Sequence, residues 1–117
     1  MKKVISIILI FITLMACQKE PLETVFFDFE NQPGVFILNE GNFMHGNASL
    51  SFFDKSEHRN YNQIFYARNK APLGDVAQSM ILKDGLAWIV INNSGKIYVA
   101  DANTMEFRAT VRSEEHT

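Results

Sequence analysis

At 117 residues, with 47% hydrophobic side chains and a formal net charge of −2, the chain suits one small domain and carries no basic surplus. Without a basic patch to neutralise phosphates, nucleic acid is excluded as an expected partner. Cys17 is the single cysteine, so no disulfide can form within the chain and the fold must rest on core burial.

Lys2 and Lys3 precede an apolar run from Val4 to Met15 (VISIILIFITLM). Crossing a bilayer core takes about 20 helical residues, so this run reads as the apolar part of an export signal. It closes on Leu14-Met15-Ala16-Cys17, which resembles a bacterial lipobox. The resemblance implies that residues 1–16 are a lipoprotein signal peptide and that the Cys17 thiol carries the lipid. Each buried methylene contributes about 0.8 kcal/mol, and one acyl chain anchors only marginally, whereas two or three hold a domain on a membrane. Cys17 is then an anchor rather than a nucleophile or metal ligand. The alternative is an ordinary secretory signal with a cysteine there by chance. Gln18 is not the Asp of inner-membrane retention, and Gln18-Lys19-Glu20 resembles the start of a lipoprotein surface-export signal. That implies an outer-membrane, outward-facing location. Pro21 and its polar neighbours suit a solvated tether equally well, and residues 17–33 are read as lipidated Cys and tether.

Beyond the tether the pattern is of strands. Val35 to Leu38 is a short apolar run ending at Asn39-Glu40-Gly41-Asn42. Ala48 to Asp54 alternates, with Leu50 and Phe52 on one face and Ser49, Ser51 and Phe53 on the other. Gln63 to Ala67 predicts a weaker strand, followed by a polar segment to Gly74. Val76–Leu82 and Leu86–Ile91 flank Lys83-Asp84-Gly85, a strong hairpin signal. Asn92 to Gly95 and Asp101 to Thr104 predict two more turns, around a strand at Lys96–Ala100 and before another at Glu106–Val111. The last four strands form a meander, and no segment after the signal shows a helical stripe. Leu86–Ile91 (LAWIVI) is apolar on both faces and so calls for a packed layer on each side. Trp88 is expected in the core.

The final six residues, Arg112 to Thr117 (RSEEHT), match the translated start of a widely used sequencing adapter. The expectation is that the natural protein continues past Val111; a polar C-terminal tail is the alternative. Without both ends, the chain loses Lys2, Lys3 and Arg112 from its 11 basic residues and Glu114 and Glu115 from its 13 acidic ones, leaving a net charge of about −3.

The meander also repeats. Asp54 and Asp101, 47 positions apart, align Leu50 with Ile97, Ser51 with Tyr98 and Phe52 with Val99. Upstream, Leu38-Asn39 aligns with Ile91-Asn92. The spacing fits the roughly 40–50 residues of one propeller blade. With "VFILNEGNF", "NASLSFFD", "PLGDVAQSM" and "AWIVINNSGKIYVADANT", residues 34–111 resemble the YncE-like, YVTN-repeat β-propeller lipoproteins of the DUF5074 group. The resemblance implies an all-β fold of four-stranded antiparallel meander blades, seven to a propeller, of which this chain carries about one and a half. Some relatives resemble surface lipoproteins that capture corrinoids (vitamin B12-type cobamides) and pass them to an outer-membrane transporter.

Catalytic patterns are lacking. His45 and His58 have no carboxylate at close, regular spacing, and there is no Gly-rich phosphate loop, zinc motif or nucleophile elbow. Asp54, Asp75, Asp84 and Asp101 sit beside turns, where backbone bonding accounts for them. No enzyme, metal or cofactor is therefore expected. Binding residues ride on loops held by a rigid scaffold, and the loop Glu40–Asn47 (EGNFMHGN) is long for a hairpin. Its Asn42, Phe43, His45 and Asn47 are the candidate ligand contacts, by ring stacking and amide bonding. The expected function is a surface binding module for a corrinoid, with glycans or a transporter protein as rival partners. A structural or adhesive scaffold is the alternative.

Overall fold

The computed structural model describes residues 1–5 and 28–113; the rest of the signal-like run, Cys17, most of the tether and residues 114–117 lie outside the described residues. Two antiparallel sheets make up the body. The first holds β1 (Gly34–Asn39), β2 (Ser49–Asp54) and β3 (Arg59–Tyr61) in that order. A short helix, α1 (Ile64–Asn69), leads to the second sheet of β4 (Ala77–Lys83), β5 (Leu86–Ile91), β6 (Lys96–Asp101) and β7 (Phe107–Arg112), again in chain order. The fold is thus all-β, built from open meanders of the kind that make propeller blades.

Turn chemistry sets these meanders. Asp84 and Gly85 take φ values of 53° and 74°, the left-handed pair that a two-residue type I′ hairpin demands. The two aligned aspartates close identical turns. Asp54 Oδ1 accepts from the backbone N–H of Ser56 (2.7 Å) and Glu57 (3.1 Å). Asp101 Oδ1 accepts from Asn103 (2.9 Å) and Thr104 (3.0 Å). The repeat read from sequence is therefore structural from β2 onward.

One part of that alignment shifts. Gly34 pairs with Asp54 as Leu86 pairs with Asp101, and Leu38 pairs with Leu50 as Val90 pairs with Ile97. β1 therefore matches β5 with Leu38 opposite Val90, not Ile91. A slip of one residue exchanges the faces of a strand, so the correction decides which side of β1 is which.

The sheets pack face to face. Leu50 and Phe52 of the first sheet are buried, as are Ala87, Ile89, Ile91 and Ala100 of the second, all in one cluster. Phe36, Leu38 and Tyr61 pack against its margin. Phe29, from a 3-10 turn at Phe29–Asn31, sits edge-on to Phe36 (5.0 Å between ring centroids) and against Phe52 (4.6 Å). Gly34 is needed opposite them, since a Cβ there would run into the Phe52 ring.

Three sequence expectations change. Gln63–Ala67 is not a strand: α1 begins at Ile64, with Gln63 and Lys70 both left-handed at its ends. Its β-prone residues are overridden by packing, because one helical turn puts adjacent Ile64 and Phe65 into the core, which a strand's alternation cannot do. Arg59–Tyr61, unassigned in the sequence, pairs as β3. Trp88 is only half-buried and lies outside the core cluster. Arg112 and Ser113 extend the β6–β7 ladder, with Arg112 opposite Lys96 and the Ser113 N–H donating to Gly95 O at 3.0 Å.

Candidate functional site

The β1–β2, α1–β4 and β5–β6 connections meet at one end of the two sheets. Backbone bonds tie them together: Ala48 N–H donates to Gly74 O (3.0 Å) and Ala77 N–H to Glu40 O (3.2 Å). Asp75 is the knot. Its Oδ2 accepts from the Met44 backbone N–H at 2.9 Å and from the Asn93 side-chain amide, while its own N–H donates to Ser94 Oγ at 3.3 Å. One carboxylate thus holds three connections. The Asn93 amide keeps this carboxyl below the ordinary carboxylate range, against the partial desolvation that pushes it up. The Met44 and Gly46 N–H groups act in the same direction as Asn93.

The long loop is ordered by its own backbone and by Asn47. Gly41, Met44 and Gly46 take positive φ, and Asn47 Oδ1 accepts from the Asn42 N–H at 2.7 Å. Of the four residues singled out from sequence, Asn47 is therefore committed to shaping the loop. Asn42, Phe43 and His45 are exposed, Phe43 with 67% of its surface free, beside Met44 at 73%. Two large apolar side chains thus stand exposed together on a braced loop, surfaces of the kind that stack on or pack against apolar groups. Next to it, between the end of the loop and α1, lies a cleft of about 190 Å³ lined by Asn47, Leu50, Phe65, Tyr66, Pro72 and Leu73. Pockets that enclose drug-sized ligands hold roughly 300–1,000 Å³. The cleft alone takes a substituent, not a whole large ligand.

Asp75 and Asn93 do not read as site residues in the sequence, because each also reads as a turn residue. Only their convergence from separate connections reveals the knot, although Pro72-Leu73-Gly74-Asp75 opens one of the segments that carry the family resemblance. Among the described residues no group of three or more His, Cys, Asp or Glu is arranged to hold a metal ion. His45 and His58 both lie on exposed turns.

The fold and its end-on loops define a protein of the β-meander, propeller-blade class. Residues 33–117 match the family described as a domain of unknown function, DUF5074, and the chain belongs to that family. No curated protein matches the chain.

Proposed function

We propose that this protein is a non-enzymatic, lipid-anchored binding module of the outer membrane, facing outward, whose blades belong to a YncE-like propeller. Cys17 carries the lipid, and the loop end of the sheets meets the ligand. The reading rests on the Asp75 knot, which ties the long loop to two other connections while Phe43 and Met44 stay exposed on it. A corrinoid is the leading ligand. Its flat, apolar, amide-rimmed macrocycle suits stacking on Phe43, amide contacts from Asn42 and a nearby imidazole at His45. An outer-membrane transporter is then the partner that receives it. Fold likeness does not transfer function by itself, so the test is direct. Corrinoid titration of the protein by calorimetry should show binding that Phe43→Ala weakens about tenfold, roughly 1.4 kcal/mol. No affinity with the loop intact ends the reading.

A second reading, an adhesive or structural scaffold without a small-molecule site, is favoured by the open apolar sheet face that carries Ile81, Trp88 and Val111. Labelling of Cys17 with radioactive palmitate in the producing bacterium tests the anchor common to both.

A further inference from the structure

Another cavity lies between α1 and strands β6 and β7. It holds about 300 Å³ and is lined by Phe65, Asn69, Ala71, Tyr98, Phe107 and Thr110. That is the lower end of the range for pockets that enclose small organic ligands, roughly 300–1,000 Å³. Its walls are held in place from within the chain. Asn69 spends its whole amide on Phe65 O, Met105 O and the Phe107 N–H, which fixes α1 to the start of β7. Three rings meet there. Phe65 stacks on Tyr98 at 5.3 Å between centroids, and Phe107 stands edge-on to Tyr98 at 5.8 Å. Phe107 keeps 44% of its surface exposed, so the cluster has room for a further ring against it.

The polar groups beside these rings are donors. Thr110 stands opposite Tyr98 in the β6–β7 register, on the same face, and brings a half-buried hydroxyl. Lys96, two residues before Tyr98 on that face, packs against the α1–β4 connection, its Cε 3.4 Å from where a Cβ on Gly74 would stand. Its Nζ sits 4.4 Å from the Tyr98 ring centroid and donates to Tyr98 Oη at 2.7 Å. An ammonium has three N–H groups, so two remain, and the Tyr98 hydroxyl, already accepting, keeps its own proton to give. Among the described residues no carboxylate pairs with Lys96. Acids on the neighbouring stretch are taken, Glu106 by Arg68 at 3.6 Å and Asp101 by Arg108 at 3.1 Å. Arg112 stands opposite Lys96, but it belongs to the adapter-like end and the site does not depend on it. A half-buried cation with spare donors and no counter-charge is the complement of an anionic oxygen.

We propose that this cavity binds a small aromatic carboxylic acid, its ring packed against Phe107 and Tyr98 and its carboxylate at Lys96 Nζ and the Tyr98 hydroxyl. The aromatic walls and the cation beside them together select a planar body bearing one negative charge. A neutral ring would leave the ammonium unpaired, and a bare anion would leave the rings uncovered. The site is separate from the loop that carries Phe43 and does not rest on what that loop binds.

The test is calorimetric titration of the full chain with indole-3-acetate and, as its neutral counterpart, indole-3-acetamide. The acetate should bind, and the amide about tenfold more weakly. Phe107→Ala should weaken both ligands about tenfold, since both lose the ring contact. Lys96→Gln should bring the acetate down to the affinity of the amide while leaving the amide unchanged, a pattern that general loss of structure does not produce. Tyr98→Phe, which keeps the ring, gives a second reading of the same contact: it should weaken the acetate more than the amide. The proposal is overturned if the acetate does not bind, if wild type takes acid and amide equally, or if Lys96→Gln keeps the preference. Loss of the acetate with Phe43→Ala but not with Phe107→Ala would put the acid on the loop and overturn it too.

Discussion

Asp54 and Asp101 show how single side chains set a fold made of repeats. Each carboxylate replaces a backbone acceptor for two N–H groups that a tight turn leaves unpaired. Asp54→Ala and Asp101→Ala should each lower stability by about 1–2 kcal/mol, read from the urea midpoint. The Asn variants should lose less, since an amide oxygen still accepts. Asp101 also meets Arg108 at 3.1 Å across the β6–β7 bulge. Its carboxyl is held below the ordinary range, first by the Thr104 N–H, against desolvation, with Arg108 adding to the lowering. Asp75 is lowered as well, chiefly by Asn93. A carboxyl whose folded pKa is depressed stabilises the fold fully above its unfolded value of about 3.9 and loses that contribution as pH falls through the folded value. The urea midpoint should therefore be insensitive to these two groups above about pH 5 and fall below about pH 4. Asp75→Asn combined with Asp101→Asn should flatten that acid limb; an unchanged limb would assign it to other carboxylates.

At the scale of elements, α1 is the piece that joins the two sheets. Six residues are too few for a helix that stands alone. Burial of Ile64 and Phe65, and the stacking of Phe65 on Tyr98 at 5.3 Å, hold it against the second sheet. Asn69 completes the joint. Its amide donates to Phe65 O (3.0 Å) and Met105 O (2.9 Å), and its oxygen accepts from the Phe107 N–H (2.8 Å). Asn69→Ala should cost about 2 kcal/mol, since a part-buried carbonyl and a backbone N–H lose their partner together. Hydrogen exchange gives the specific readout: the Phe107 amide should lose protection while amides in β1 and β2 keep theirs. Equal loss throughout would mean that the helix is only one part of a general core.

For the whole molecule, equivalent positions are not energetically equivalent. Leu50 and Ile97 occupy the same place in their sheets, but Leu50 is fully buried and Ile97 only partly so. Leu50→Ala should cost about 3 kcal/mol and Ile97→Ala about 1 kcal/mol or less, by urea titration. The difference measures the cover that the second sheet gives the Leu50 face of the first.

Local chemistry made much of this legible beforehand. The meander of β4 to β7, the Asp84-Gly85 hairpin and the repeat of Asp54 at Asp101 all follow from turn residues and alternation, which act over a few neighbours. The long loop with Phe43 was legible for the same reason, as a hairpin connection longer than its turn required. Three decisions needed tertiary structure. Gln63–Ala67 became a helix because two adjacent side chains had one core to enter, whatever their strand propensity. Asp75 became the knot of three connections only when segments dozens of residues apart met at one end of the sheets. Trp88 was left half-exposed because burial of an apolar strand depends on which layers are present around it, and periodicity within the strand carries no record of that.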